Sequence, residues 1–329
     1  MKSISTIFAV SAIAMGAMLG AASAQTYTIG SNPQGTLYYT VGSALAAAIE
    51  NSASTRTIVQ PYTGSSVYLP LLPSGEVTIG ISNALDFGRA YSDPANPIKE
   101  LRALARIYTT PYGYLVPRSS GITDYAGLKG KPIARDLKAQ LSLTSTNTAL
   151  LAAGGLNEGD YEQVTIGNVQ EGLGLLVEGK VAATATIPGS PQSQQTHATI
   201  PGGIRYLTLE DTPETNKVLG EIAPGLSTFN VEPGEGMPSI DAPVTMIGLH
   251  QFLVVGASLP DEDVKKILTA VWDAWPRLQQ DVPSLRSATV EEMAQPINAA
   301  PYHPAAIAFF KEKGIWSDAN ETHEGSFAK

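Results

Sequence analysis

Residues able to bind a small ligand are grouped in short turns that lead from a strand into a helix. The first such turn contains Ser31, Asn32, Gly35 and Thr36. Glycine lets the backbone approach a ligand closely, the side chains offer hydrogen bonds, and the first turn of a helix has unpaired N–H groups. The turn therefore predicts a site for an oxygen-rich anion; the alternative is an ordinary glycine turn that binds nothing.

Two adjacent tyrosines, Tyr38 and Tyr39, follow this turn at the start of the helix. Neighbouring positions on a helix point about 100° apart. We therefore expect one tyrosine to contact the solute and the other to pack in the core of its own lobe.

Two more turns of this type precede residue 90. One offers Thr63, Gly64, Ser65 and Ser66, and the other places Asn83 at the end of a strand. Each turn could simply cap a helix. Their repetition favours ligand binding, because one exposed helix N-terminus stabilises an anion by only about 0.3–1 kcal/mol.

Matching turns later in the chain supply Arg135, Gln140, Ser142, Thr186 and Gly189. An arginine at the end of a strand that faces a cleft can bind a carboxylate through two parallel hydrogen bonds. The alternative for Arg135 is a surface ion pair with Asp136 or Glu162. Both interpretations remain open from the residues alone.

The sequence contains no recognisable catalytic signature. It has no G-x-S-x-G, H-E-x-x-H or G-x-G-x-x-G motif, and its four histidines are isolated from one another. It also has no cysteine, which excludes disulfides and thiolate metal sites. We therefore predict no catalytic residue, no metal and no cofactor.

Short strands alternate with amphipathic helices from residue 26 onward, a pattern typical of α/β folds. Two of the predicted strands are Leu101–Tyr108 and Tyr112–Val116. The pattern is interrupted after residue 116 and resumes strongly at Val244, which predicts two crossovers between two lobes. Residues 25–116 and 244–329 form lobe I, residues 117–243 form the inserted lobe II, and the ligand cleft lies between them.

Composition and charge agree with such a protein. The chain has 329 residues, enough for about two domains at roughly 150 residues each. Its 30 acidic and 21 basic residues give a net charge of -9, without a basic run, so nucleic acid is excluded as the expected partner.

The first 24 residues have the pattern of a secretory signal peptide. Lys2 precedes an apolar run over residues 4–19, and Ala22, Ser23 and Ala24 form a small-residue cleavage site. The alternative is a membrane anchor, but the run is barely long enough to span about 30 Å. We predict cleavage after Ala24 and a periplasmic location.

Several segments together resemble the TAXI receptors, the solute-binding components of one branch of the TRAP (tripartite ATP-independent periplasmic) transporters. They are residues 34–42 (QGTLYYTVG), 63–67 (TGSSV), 71–76 (LLPSGE), 128–131 (LKGK), 302–307 (YHPAAI) and 311–316 (KEKGIW). The resemblance covers essentially the whole chain after residue 24. It implies a two-lobed periplasmic binding protein fold of type II that closes on a small solute.

The resemblance also implies a function without catalysis. A monomeric receptor of this family delivers its solute, commonly a small carboxylate or amino acid, to a sodium-coupled membrane permease. The chain departs from the family at residues 136–141, where DLKAQL replaces a turn rich in Gly, Ser and Thr. Two other functions remain as alternatives: a periplasmic α/β hydrolase, and a ligand sensor for a membrane kinase.

Overall fold

The computed structural model of the protein describes residues 26–223, 226–296 and 300–328. The predicted signal peptide and its cleavage site after Ala24 lie outside the described residues. Among the described helices, none is both long enough and apolar enough to cross a membrane.

Lobe I contains elements from both ends of the chain. Its elements are β1 (Tyr27–Ser31), α1 (Leu37–Ala53), β2 (Thr57–Pro61), α2 (Ser65–Tyr68), β3 (Ile79–Asn83), α3 (Ala84–Ser92), the first part of β4 (Leu101–Pro117), the last part of β10 (Val244–Gly256), α8 (Asp261–Asp281), α9 (Pro304–Glu312) and α10 (Asp318–Glu324). Strands β1, β2 and β3 are parallel, and the sheet order is β2-β1-β3-β10-β4. The core of this lobe lies between the sheet and helices such as α1 and α8.

Helix α1 illustrates how the sequence fixes these elements. Thr36 caps it by accepting the backbone N–H of Tyr39 at 3.2 Å. Val41, Leu45 and Ile49, spaced by four residues, form one fully buried face that packs in the lobe I core. The start of α1 is therefore held firmly at the end of β1.

Lobe II is formed by the middle of the chain. Its elements are β5 (Pro132–Leu137), α4 (Leu141–Ala153), β6 (Glu162–Ile166), α5 (Val169–Val177), β7 (Thr184–Thr186), α6 (Pro191–Thr199), β8 (Ile204–Tyr206), α7 (Pro213–Ile222) and β9 (Thr228–Val231). Strands β5 and β6 are parallel, while β7 and β8 pair with successive parts of β4 and β9 pairs with β10. A second hydrophobic core fills this lobe.

Two long antiparallel strands, β4 and β10, connect the lobes. They pair from Leu101 opposite Gly256 to Tyr112 opposite Ile247. The prediction of two strands over residues 101–116 is therefore wrong, because the chain remains extended through Thr109, Thr110 and Pro111 and forms one strand of 17 residues. The fold is a two-lobed α/β fold of type II with two crossovers, as predicted.

The two cores meet inside these strands. Tyr108 and Phe252 belong to the core of lobe I, and Tyr112 and Leu249 belong to the core of lobe II. The predicted lobe boundaries at residues 116/117 and 243/244 lie nearer the lobe II ends of the same strands, and they remain a prediction.

Helix α6 was missed by the sequence analysis. Its residues, PQSQQTHAT, are almost all polar and show no apolar periodicity. Its start does carry a recognisable signal, since Ser190 accepts the N–H of Ser193 at 3.2 Å and Pro191 occupies the first helical position.

We expect the C-terminal helix α9 to be essential for the stability of lobe I. Phe310 is fully buried, with its ring centroid 6.0 Å from that of Tyr302. Phe310→Ala should lower the free energy of unfolding by about 3–5 kcal/mol, measured by denaturant titration. Phe229→Ala, at a residue that is 38% exposed in lobe II, is the matched control and should change it far less. Equal losses in the two variants would contradict this role for α9.

Candidate functional site

A cavity lies between the two lobes, and among the described residues no charged side chain lines it. Lobe I contributes Asn32, Pro33, Thr36, Leu37, Tyr38 and Thr63; lobe II contributes Tyr112, Gln140, Leu143, Asn168, Val169, Gln170, Thr186, Ile187, Ser190, Gln192 and Leu249. The empty space between these residues is about 530 Å³, including solvent at its mouth, which is within the roughly 300–1,000 Å³ of small-molecule sites. The cavity therefore suits a small polar molecule.

Four helices begin at this cavity. The residues that cap them, Thr36 of α1, Gln140 of α4, Asn168 of α5 and Ser190 of α6, all line it. The N–H groups of a first helical turn have no partner within the helix, and the helix dipole places partial positive charge there. The cavity is thus suited to an anion even though it contains no cationic side chain.

Direct contacts hold the lobes together around the cavity. The N–H of Gln192 donates to the carbonyl oxygen of Gly35 at 2.9 Å, and the N–H of Ser66 donates to the carbonyl oxygen of Ala139 at 3.2 Å. Gly35 has a φ of 84°, which favours glycine. The structure is therefore a closed arrangement in which backbone meets backbone across the cleft.

Gly64 lies at the tightest of these contacts. A Cβ atom added at Gly64 would lie 2.3 Å from the carbonyl oxygen of Ala139 in the opposite lobe. Its φ of 173° is ordinary extended backbone, so the need for glycine comes from the approach of the other lobe and not from local strain.

Asp86 forms the main polar contact between the lobes. Its Oδ2 accepts from the Ser65 hydroxyl at 2.5 Å and from the Asn83 side-chain amide at 2.9 Å. Its Oδ1 accepts from the N–H of Ser142 at 3.1 Å and from the Ser142 hydroxyl. Because Ser142 belongs to lobe II, this one buried carboxylate links the two lobes. The four donated hydrogen bonds satisfy its two oxygens.

Asp86 was missed by the sequence analysis, although a signal was present. Asn83 caps α3 by accepting the N–H of Asp86 at 2.8 Å, and an acidic residue three positions after a capping residue is typical of a helix start. Nothing in the sequence indicates that this carboxylate also reaches the other lobe.

The structure divides the sixteen predicted site residues into three groups. Six line the cavity: Asn32, Thr36, Tyr38, Thr63, Gln140 and Thr186. Six take part in contacts between the lobes or in the hydrogen bonds of Asp86: Gly35, Gly64, Ser65, Ser66, Asn83 and Ser142. The remaining four, which neither line the cavity nor take part in those contacts, are Ser31, Tyr39, Arg135 and Gly189. Their binding of a solute remains a prediction.

The two tyrosines take different positions, but the expectation that the one outside the site packs in the lobe I core is wrong, because Tyr39 is partly exposed and Tyr38 is the core residue. Tyr38 is buried and lines the cavity, whereas Tyr39 is partly exposed and its hydroxyl accepts from the Gln34 side chain at 3.3 Å. Burial, with a smaller contribution from the charge of Asp86, raises the pKa of Tyr38 well above its usual value. Burial likewise raises the pKa of Tyr112, so both cavity phenols are neutral.

Arg135 is held within its own lobe. Its Nε pairs with Asp136 at 2.8 Å and its Nη1 pairs with Glu158 at 2.9 Å. Strand β5 extends two residues beyond Arg135, which places this residue inside the strand and not at the end that faces the cavity. The structure thus favours the ion-pair alternative. The partners are Asp136, as expected, and Glu158 instead of Glu162.

The sequence analysis missed several cavity residues, chiefly Tyr112, Asn168, Gln170, Ser190 and Gln192. Asn168 and Ser190 were detectable as helix caps, because each side chain accepts a backbone N–H three residues later. Within residues 26–223, 226–296 and 300–328, no group of three or more His, Cys, Asp or Glu side chains could hold a metal ion.

Comparison with known proteins gives a family and a fold. The sequence model of the NMT1-like family matches residues 29–314. No curated protein matches the chain significantly.

Solved structures are similar throughout most of the chain. MatC of Rhodopseudomonas palustris with bound malate is 14% identical, with a TM-score of 0.57 over 92% of this chain and 99% of MatC. A protein described as a periplasmic transporter is 13% identical, with a TM-score of 0.56 over 92% and 97%. The alkanesulfonate-binding protein SsuA of Xanthomonas axonopodis pv. citri bound to MOPS is 16% identical, with a TM-score of 0.51 over 91% and 82%. These likenesses show that the fold is that of periplasmic binding proteins.

Gly64→Ala should prevent full closure, because the new methyl group would collide with the backbone of Ala139. We expect small-angle X-ray scattering to give a larger radius of gyration and calorimetry to give at least tenfold weaker binding, with thermal stability almost unchanged. The control is Gly220→Ala, where a Cβ meets nothing within 4 Å. Normal closure of the Gly64 variant would show that the contact adjusts easily.

Ser142 and Ser65 donate to the same carboxylate from different lobes and provide a matched pair. Ser142→Ala removes a bond that exists only in the closed state, worth about 1.5–3 kcal/mol when the acceptor is charged, so affinity should fall roughly tenfold or more. Ser65→Ala removes a bond within lobe I, so stability should fall while affinity stays within about twofold. Equal effects on affinity would contradict a closing role for Asp86.

Proposed function

Because the chain belongs to the NMT1-like family and has the fold of periplasmic binding proteins, we propose that it is a periplasmic receptor that captures a small organic acid for transport. The observation that carries the proposal is the uncharged cavity at which four helices begin. Each helix start stabilises negative charge modestly, and a closed, water-poor cavity strengthens that effect.

The carboxylate class is supported by three features. The cavity is small, its phenols are neutral, and its peptide N–H groups and side-chain amides are donors that suit a carboxylate. MatC, which has this fold, holds malate in its structure, and SsuA is an alkanesulfonate-binding protein. Both relatives therefore handle an oxyanion in the same architecture.

The mechanism of capture follows from the contacts between the lobes. In an open form, Asp86 would lose its two bonds to Ser142, and Gly35 and Ala139 would lose the N–H groups that reach them. A solute that contacts both walls of the cavity adds its own binding free energy to these contacts and shifts the population toward the closed form. The closed form is then the state that a membrane partner recognises.

We assign the partner as a sodium-coupled permease of a TRAP transporter, with this chain as a TAXI-type receptor. The sequence segments 34–42 and 302–316 support this assignment. Tyr302 and His303 of the second segment are buried, and His303 caps helix α9 by accepting the N–H of Ala305 at 3.2 Å. None of its residues lines the cavity, so we expect that segment to act through the fold of lobe I.

A hydrolase is not favoured. Within the described part of the chain, no histidine and no carboxylate lines the cavity, and Asp86 at the interface of the lobes already accepts four hydrogen bonds. The cavity hydroxyls therefore have no base in the described lining to activate a nucleophile.

A thermal-shift screen of small carboxylates tests the proposal, with sugars and cationic amines as controls. A bound acid at a hundredfold excess over its Kd should stabilise the protein by about 2.7 kcal/mol, which raises the Tm by roughly 5 °C. Mass spectrometry of the released acid should find it chemically unchanged. Stabilisation by sugars alone would refute the organic-acid assignment, and a converted product would refute a purely binding function.

A further inference from the structure

Two buried amide side chains line the cavity from opposite lobes, and each has one atom without a hydrogen-bond partner. Asn32 of lobe I is 5% exposed and Gln192 of lobe II is 7% exposed. Among the described residues, Asn32 Oδ1 and Gln192 Nε2 have no partner, and both side chains line the cavity. Buried amide atoms are nearly always hydrogen-bonded, so these two indicate what the cavity is built to hold.

Their chemistry requires more of the occupant than a carboxylate provides. An amide presents one acceptor and one N–H donor group whichever way it is turned. An ionised carboxylate only accepts hydrogen bonds. It can satisfy the donor of Gln192 and the helix N-termini, but it leaves the Asn32 acceptor unpaired. The occupant must therefore carry a hydrogen-bond donor as well as an anionic group.

The donor must also be uncharged. Among the described residues, no acidic side chain lines the cavity, and the four donors of Ser65, Asn83 and Ser142 leave no free site on Asp86. An ammonium group enclosed here would lie near the N-termini of α1 and α5 without an acidic side chain in the lining to pair with, which is unfavourable. A hydroxyl group meets the requirement because it both donates and accepts.

We propose that the solute is a small hydroxy acid, whose hydroxyl is recognised by Asn32 and Gln192 together. This inference rests on the proposed function, because it assumes that the cavity binds an organic acid. The two amides belong to different lobes, so the hydroxyl can form hydrogen bonds with both only when the cleft has closed.

Two matched series of acids test the inference on the unmodified protein. One series is succinate, malate and aspartate; the other is propionate, lactate and alanine. Within at least one series, calorimetry should show the hydroxy acid binding about tenfold more tightly than the unsubstituted acid, the gain expected for one additional neutral hydrogen bond in a buried site. The amino acid should bind more than tenfold more weakly than the hydroxy acid, because its ammonium group has no acidic partner in the cavity lining.

Substitutions then test the two amides. In Asn32→Leu and in Gln192→Leu, the tenfold preference for the hydroxy acid over the unsubstituted acid should fall to about twofold or less. Gln195→Leu is the matched control, because Gln195 lies on the same helix and is exposed, and it should keep the full preference. The readout is a ratio of affinities, which a simple loss of stability does not change. A variant that fails to fold is replaced by Asn32→Ala or Gln192→Ala.

The outcomes separate the two proposals. If no carboxylate binds, the proposed function itself fails. If carboxylates bind but the hydroxyl gives no preference, or the amino acid binds most tightly, the proposed function stands and the hydroxy-acid inference is refuted. An unchanged preference in both amide variants would refute the assignment of Asn32 and Gln192.

Discussion

The continuous pairing of β4 with β10 is the constraint on which the remaining structure depends. The two strands are hydrogen-bonded from Leu101 to Tyr112 on one side and from Ile247 to Gly256 on the other, through the junction of the two cores. Register shifts in β10 fall between Gln251 and Phe252 and between Leu253 and Val254. Those positions also pair with β3, whereas Gly248, Leu249 and His250 pair with β4 alone. A local twist of this short two-stranded stretch would change the mutual orientation of the lobes while each core stays intact.

Asp86 uses the geometry that these strands impose. It belongs to the first turn of α3, directly after β3, which pairs with β10. Its carboxylate accepts hydrogen bonds from the start of α4, a helix of the other lobe. These bonds exist only while the cleft is closed. The protein thus places its own negative charge at the start of α4 and satisfies the start of α6 through Gly35 and Ser190, which leaves the starts of α1 and α5 available at the cavity.

Much of this fold was predictable because the residues that pack in the two cores recur periodically in the sequence. Val41, Leu45 and Ile49 mark the inner face of α1, and the order of strands and helices indicates two crossovers. The site was only partly predictable. Glycines and hydroxyls identified the turns, but the polar helix α6 leaves no apolar pattern, and the bond from Asp86 to Ser142 joins residues 56 positions apart. Arg135 lies away from the cavity lining because its strand runs two residues further than expected, and its binding of a solute stays a prediction.

Because the cavity is uncharged, the rate at which the solute binds and the lifetime of the closed complex depend on different electrostatic effects. The chain has a net charge of -9, so its long-range field repels an approaching anion, while the helix starts that stabilise the anion act only at short range. Dissolved salt screens the long-range repulsion, because the Debye length is only about 8 Å at physiological ionic strength. Salt has little effect on the stabilisation by the helix starts once the cleft is closed. Encounter would therefore become faster as the surroundings become saltier, while the lifetime of the closed complex would stay nearly constant.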